Sequence, residues 1–330
     1  MRNFAGLVYN ELLKVLRKRR ILVVLLILAV LIPIFTYAQY RTVQNTVKQL
    51  GTSDWRAVVQ QQIIDMQNRL SSSRVPEEWK NWIRLNIQQQ QYYLDHNINP
   101  TSPGAPTFVR KFAEESLSLF LPLLVVVIAS DMVSSEYGAG TIKLLLTRPV
   151  RRSRVLWSKF VALQLAVALM LLLSAILSYV ISGALFGYSG WTMPVLTGFQ
   201  ERGGELITTH VHLVPQWQYI LMSYGLAWFA CAAVATISLM VSVLVRSTAA
   251  SMGIMMAALI SGTLLSQLAP SWSALKYLAF TNLELTNFLS GSPTMVEGLT
   301  LPFSLVVLSL WSLGSLVVAF TVFTRRDVLA

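Results

Sequence analysis

The densest set of chemically suggestive side chains lies between Ser134 and Arg154: Glu136, glycines at Gly138 and Gly140, Thr141, an apolar run of Ile142, Leu144, Leu145 and Leu146, then Arg148, Pro149, Arg151, Arg152 and Arg154. Thr141 can cap a short helix by accepting from its first backbone N–H groups. Pro149 helps to end that helix, because the residue before a proline is pushed out of the helical region. A brief apolar helix bracketed by a carboxylate and arginines makes contacts and performs no covalent step. It suits either the headgroup layer of a leaflet or a groove on a soluble partner.

Other candidate chemistry falls short of a site. His210 and His212 have a spacing that brings two imidazoles together only on a strand, and no third ligand is adjacent, so no metal is assigned. There is no G-x-x-x-x-G-K-[ST] phosphate loop, and Gly138-Ala139-Gly140 follows an apolar run with no preceding strand, so the chain itself holds no nucleotide cofactor. H-E-x-x-H and G-x-S-x-G are also absent, which disfavours an enzyme of either class. The lone cysteine, Cys231, sits among alanines as a small packing residue and can form no bridge within the chain.

The elements that must position these residues follow from composition. Of 330 residues, 54% are hydrophobic and 12% charged, against about 25% charged in soluble domains. A bilayer core of about 30 Å needs about 20 apolar residues in a helix. Six runs qualify, at 21–38, 112–133, 161–185, 219–245, 249–268 and 299–323. They are expected to be helices because hydrocarbon offers no partner for an unsatisfied amide or carbonyl. The fold class is thus all-α, a polytopic membrane protein with both termini on one side. A cleaved leader is the other reading of the first run, but its basic start is long for that.

Charge then orients the chain. The side holding the termini receives fifteen lysines and arginines and four carboxylates, whereas the opposite side is neutral, so the whole net charge of +11 belongs to one face. By the positive-inside rule that face is cytoplasmic. The basic residues are juxtamembrane, which removes the main support for nucleic-acid binding. The middle of each span is almost free of charge, Asp131 and Glu114 falling at span ends, and this disfavours a proton-driven carrier. Energy for any pumping must come from another chain.

Residues 1–20 read as an amphipathic helix along the inner surface, with Phe4, Leu7, Val8, Leu12, Val15 and Leu16 on one face and Glu11 at its edge, either held by a basic partner or solvated beside Lys14 and Lys18. Residues 41–110 are expected to form an outer helical hairpin. Ser53 would cap its first helix, carrying Val58, Ile63, Met66 and Leu70; Pro76, Glu77 and Glu78 would open its second, carrying Trp79, Trp82, Ile83 and Ile87. Residues 134–158 form an inner link, 187–216 an outer loop, 269–298 short interfacial or re-entrant helices, and 324–330 an inner tail. Ala227, Ala232, Ala235, Ala257 and Gly262 allow close helix approach in the fourth and fifth spans.

Glu136-Tyr137-Gly138-Ala139-Gly140-Thr141, followed by Leu144-Leu145-Leu146-Thr147-Arg148-Pro149-Val150-Arg151-Arg152, resembles the E-x-x-x-G-T...L-L-x-x-P-x-x-R signature of type-2 ATP-binding-cassette (ABC) transporter permeases. The basic N-terminal helix with Glu11 and Lys14, the six spans and the closing Phe323-Thr324-Arg325-Arg326-Asp327 add to the resemblance, which covers almost the whole chain. The long first outer loop, with Tyr93 to Pro100, looks like the Bacillus-type subset. The resemblance implies a permease subunit in a bacterial plasma membrane. It also implies a second permease, as homo- or heterodimer, above separate ABC ATPase subunits that hold ATP and Mg. The 134–154 loop would be the coupling helix, with Glu136, Gly138, Gly140, Thr141, Ile142, Leu144, Leu145, Arg148, Pro149, Arg151 and Arg154 at the ATPase interface. Glu11 and Lys14 would lie on the interface helix. The cargo implied is an amphipath such as an antimicrobial peptide or lipid-linked compound. A non-transporting membrane sensor or scaffold that binds a partner through its outer hairpin is the alternative.

Overall fold

A computed structural model describes residues 4–52, 54–73, 75–100, 102–141, 150–202, 205–296 and 298–325. The 142–149 part of the coupling segment, with Ile142, Leu144, Leu145, Arg148 and Pro149, lies outside the described residues, as do Ser53, Arg326 and Asp327.

Helix α1 (Phe4–Arg17) is followed, after an extended Lys18, by α2 (Arg19–Leu50). Next come α3 (Trp55–Leu70), α4 (Glu77–Asp95), α5 (Ala105–Ser116), α6 (Phe120–Ala129) and α7 (Ser134–Gly138). Helix α8 (Arg152–Phe186) leads into four short strands, β1 (Pro194–Thr197), β2 (Gln200–Arg202), β3 (Glu205–Ile207) and β4 (His212–Pro215). Helices α9 (Gln216–Leu244) and α10 (Thr248–Leu268) follow, then two 3-10 turns, the short α11 (Asn287–Ser290) and α12 (Leu301–Arg325).

Among the described residues, six helical stretches are long and apolar enough to cross a membrane: Arg20–Leu50, Phe120–Gly138, Arg152–Phe186, Gln216–Leu244, Thr248–Leu268 and Leu301–Arg325. The protein is an all-α, multi-pass membrane protein. Helix α9 is at its centre, because Ala227, Ala230, Cys231, Val234 and Ala235 are small enough to let α5, α6, α8 and α12 close around it. The outer surface of α2 shows the opposite pattern. Leu22, Leu26, Val30 and Ile34, spaced by one turn, are each at least half exposed, an apolar stripe suited to lipid.

Several expected boundaries move. The first span continues as helix to Leu50, where Gly51, in the left-handed region at φ 67°, donates its N–H to the Val47 carbonyl and stops it. The hairpin is therefore α3 and α4 alone. Asp54 caps α3, its carboxylate accepting from the Arg56 N–H at 3.1 Å. Val59 and Ile63 are the buried positions of α3, and Ile83, Leu85, Gln89 and Tyr93 those of α4.

The second span is not one helix over 112–133. Helix α5 starts at Ala105, well before that run, and ends at Ser116; α6 starts afresh at Phe120. The physical reason is Pro122, which has no N–H for the Ser118 carbonyl and whose ring would clash with it. A second break separates α6 from α7. There Ser242 of α9 accepts from the N–H groups of Val133 and Ser134 at 3.1 and 3.0 Å and donates to the Ser130 carbonyl at 2.9 Å. One hydroxyl thus satisfies a backbone that could not be left irregular in hydrocarbon.

The 187–216 loop is a ribbon where no strand was expected. β1 pairs antiparallel with β4, and β2 with β3, in a nested arrangement. Gly198 between β1 and β2 has φ 94°, and a Cβ there would meet the His210 carbonyl oxygen at 2.3 Å, so only glycine fits. The ribbon is held on the side opposite α1. Phe199 meets Tyr92 and Tyr93 of α4, Gln88 accepts from the Leu206 N–H at 3.0 Å, and Thr197 donates to the Leu289 carbonyl at 2.7 Å.

Candidate functional site

Helix α1 packs along α8, and the face it buries carries Val8, Glu11 and Val15, with Leu12 beside them. Glu11 is therefore in the middle of the contact face and not at its edge. A turn of helix separates each of these positions, so burying Val8 and Val15 against α8 buries Glu11 as well. Phe4 and Leu16, expected on the same face, are exposed at 41% and 38%.

The buried carboxylate is answered by a buried ammonium. Lys159, in the second turn of α8, is 1% exposed, and its Nζ lies 2.8 Å from Glu11 Oε2 and 2.7 Å from Glu136 Oε1. A third donation goes to the Met132 carbonyl at 3.2 Å, so all three ammonium protons have acceptors. Lys14 adds a second cation, 2.6 Å from Glu11 Oε1 and 3.4 Å from Glu136 Oε1. One node thus joins α1, α7 and α8. Burial would raise the Glu11 carboxyl, but the charges of Lys159 and Lys14 and their hydrogen bonds outweigh it and hold it below the usual value. Burial would lower Lys14; its bond to Glu11 and the two carboxylates outweigh that and raise it.

A second node sits one turn away. Asp131, in the break between α6 and α7, pairs with Lys18 at 2.7 Å and Arg20 at 3.2 Å, while Lys18 also donates to Ser135 Oγ at 3.0 Å. Together the two nodes gather three carboxylates and four cations from the α1–α2 junction, the α6–α7 break and the start of α8. Along the chain, α7 and the start of α8 stand on either side of residues 142–149.

Glu136 of the expected interface set therefore sits inside the joint, and Glu11 and Lys14 join it. Gly138 ends α7 and Gly140, at φ 67°, turns the chain away from it. Thr141 reaches back to the Glu136 carbonyl at 3.5 Å. Arg151 and Arg154 are exposed at the start of α8 and are not brought to Glu136, because they lie on the turns before Lys159 on the solvent-facing side. Lys159, Lys18, Arg20 and Asp131 were not singled out as site residues. The available signal was a lysine placed between Leu156 and Val161, with no carboxylate on its own helix, since such a lysine is almost never buried unless paired.

The far side holds a smaller pair. Arg110 of α5 lies 3.5 Å from Glu114, donates to the Pro100 carbonyl at 3.3 Å and stacks over the Tyr219 ring at 5.4 Å. His210 and His212 are close in the ribbon turn, where the His212 ring nitrogen faces the His210 carbonyl oxygen at 3.0 Å. No group of three potential metal ligands occurs among the described residues.

Comparison with known proteins places the greater part of the chain in a family. The model of the family described as Protein of unknown function (DUF2705) matches residues 80–329. A relative in Bacillus subtilis (strain 168), Uncharacterized protein YhcI, is 27% identical over 327 residues, covering 98% of this chain and 99% of the relative. Another from the same strain, Uncharacterized membrane protein YdbK, is 30% identical over 217 residues, covering 64% of this chain and 80% of the relative.

Proposed function

This chain belongs to the DUF2705 family, and we propose that it is the permease subunit of an ATP-driven ABC exporter, working as a dimer above two separate ATPase chains in a bacterial plasma membrane. The observation that carries the reading is the joint at Lys159. It fastens α1, α7 and the start of α8 to one another at the two ends of the segment that bears the signature residues.

A partner that pushes on residues 142–149 would meet two anchored flanks. The push would pass to α8 as a rigid helix and, through Glu11, to α1 at the membrane surface. A ligand shifts such an equilibrium only through unequal affinity for two states, so the ATPase pair must hold the segment differently before and after it closes. Export of an amphipathic compound, with α1 and the joint on the cytoplasmic side, accords with the excess of basic residues there.

The test is co-purification. The full chain, extracted in mild detergent from its native membrane, should carry a stoichiometric phosphate-loop ATPase identified by mass spectrometry. Leu144→Asp should release that ATPase while leaving membrane insertion intact, and Glu136→Gln should lower cargo moved per ATP hydrolysed. Recovery of intact chain with no ATPase, or with a partner held through the α3–α4 hairpin instead, overturns the proposal.

A further inference from the structure

On the hairpin side, two cavities of about 300 and 440 Å³ share the walls formed by Asn287, Phe288 and the Ser292–Thr294 turn. The smaller lies where α10 and α12 leave the apolar belt, since Thr263 and Ser266 of α10 and Ser304 of α12 line it from below. Trp82 of α4, Phe280 and Phe288 give it aromatic walls. Its size falls in the range of small-molecule sites.

Buried hydroxyls without partners also occur elsewhere in the bundle, on Ser178 and Ser238 for example, but at this cavity two orphaned atoms line one space. Asn282 is 2% exposed, and its amide nitrogen donates to the carbonyls of Lys276 and Leu278 at 2.8 and 2.7 Å. Those two bonds fix which way the amide faces, so its free end is the acceptor oxygen, and that oxygen has no partner. The hydroxyl of Ser304, fully buried, is also without one. Buried polar atoms are nearly always satisfied, and orphaned ones mark a place where something is missing.

Charge decides what that something is. Among the described residues, Glu284 is the one ionisable side chain lining the smaller cavity, and no lysine or arginine lines either cavity. One of its oxygens accepts from the Asn287 amide at 2.7 Å, leaving the other available. Glu284 is exposed at the rim of the cavity, so solvent reaches its carboxylate, and partial desolvation there raises its carboxyl. An acceptor oxygen, a hydroxyl and a carboxylate beside aromatic faces are what an ammonium group needs. The position against the apolar belt requires that ammonium to carry an apolar tail.

We propose that the cavity between α4, α10, α12 and the 280–295 segment binds the ammonium end of an amphipathic amine, through Glu284 and Asn282. The amine is either free in the outer leaflet or the headgroup of an aminophospholipid. The site stands independently of any ATPase.

Equilibrium binding of radiolabelled decylamine to the full chain in nanodiscs of phosphatidylcholine and phosphatidylglycerol, corrected with empty discs, tests this. Saturable binding is expected, weakened about tenfold by Glu284→Gln and about threefold by Ser304→Ala, with decanoate and decanol failing to compete. Repeating the titration with phosphatidylethanolamine in the discs separates the sources: competition assigns the lipid headgroup, no competition the free amine. Absence of saturable binding, equal binding by a folded Glu284→Gln chain, or competition by decanoate as strong as by decylamine overturns the site and leaves water as its occupant. Since no ATPase is present, this failure is distinct from failure of the transport reading. Should Glu284→Gln not fold, Ser304→Ala and the decanoate control decide alone.

Discussion

The two ends of the helical bundle treat their carboxylates in opposite ways. Beside α1, Glu11, Glu136 and Asp131 are drawn from separate elements and each is paired with a lysine at 2.6–2.7 Å, Glu136 through Oε1 while its Oε2 has no partner. Beside the hairpin, Asn282 and Ser304 keep unpartnered atoms at the edge of a cavity, and Glu284 faces it with no cation. The contrast separates two uses of buried polarity. Charges satisfied by one another fix elements in register, whereas groups left open keep affinity in reserve for a ligand.

The sharpest way to break this contrast is Lys159→Met. It leaves Glu11 and Glu136 with the half-exposed Lys14 in place of a buried cation, and removing one partner of a buried pair costs about 3–5 kcal/mol. A large fall in thermal midpoint is expected in detergent, and most of it should return when Glu11→Gln and Glu136→Gln are added. A wild-type midpoint for the single variant would show that the joint holds nothing.

Packing near the open end is probed by glycine. A Cβ at Gly262 would come within 2.6 Å of Phe280 Cβ, so Gly262→Ala must displace a wall of the cavity and should cost about 1–3 kcal/mol. Gly225→Ala in α9 meets nothing within 4 Å and gains helix propensity, so it is the neutral control. Equal midpoints for both would place Phe280 elsewhere.

Glu284→Gln should be smaller still, within about 0.5 kcal/mol, because the change removes no existing ion pair. Denaturation that shifts further would mean that Glu284 is structural and the two ends alike.

The smallest effect is pH. Glu11 is held below its ordinary 4.5, so its contribution is complete above that value and is lost as pH falls below it. Lys14 is raised above 10.5, so its contribution is present below that value and is lost as pH rises past it. Hydrogen exchange should therefore show α1 amides losing protection at pH 3.5 before those of α4. Loss in the reverse order would remove Glu11 from the joint.

Much of this was legible from the chain alone. The six spans, the amphipathic α1 and the α3–α4 hairpin follow from hydrophobic period and length, which are local. For Glu11 the chain alone left two readings, a basic partner or solvent beside Lys14 and Lys18, and burial on the α8 face decided for the partner. Lys14, three residues on, is a local partner, but the buried Lys159 was not legible, because it is 148 residues away and equally compatible with solvent on its own helix. The split second span shows the same limit. Pro122 marks the break before α6, but the break after Ala129 depends on Ser242, contributed by α9.

What the sequence by itself determined is the solvent each segment prefers, and hence a serpentine of helices with its positive charge on one face. Only the tertiary structure decided which charges meet and which acceptors stay open. Both outcomes depend on distances between elements far apart along the chain, set by how small residues on α9 let its neighbours approach, and no local pattern encodes those distances.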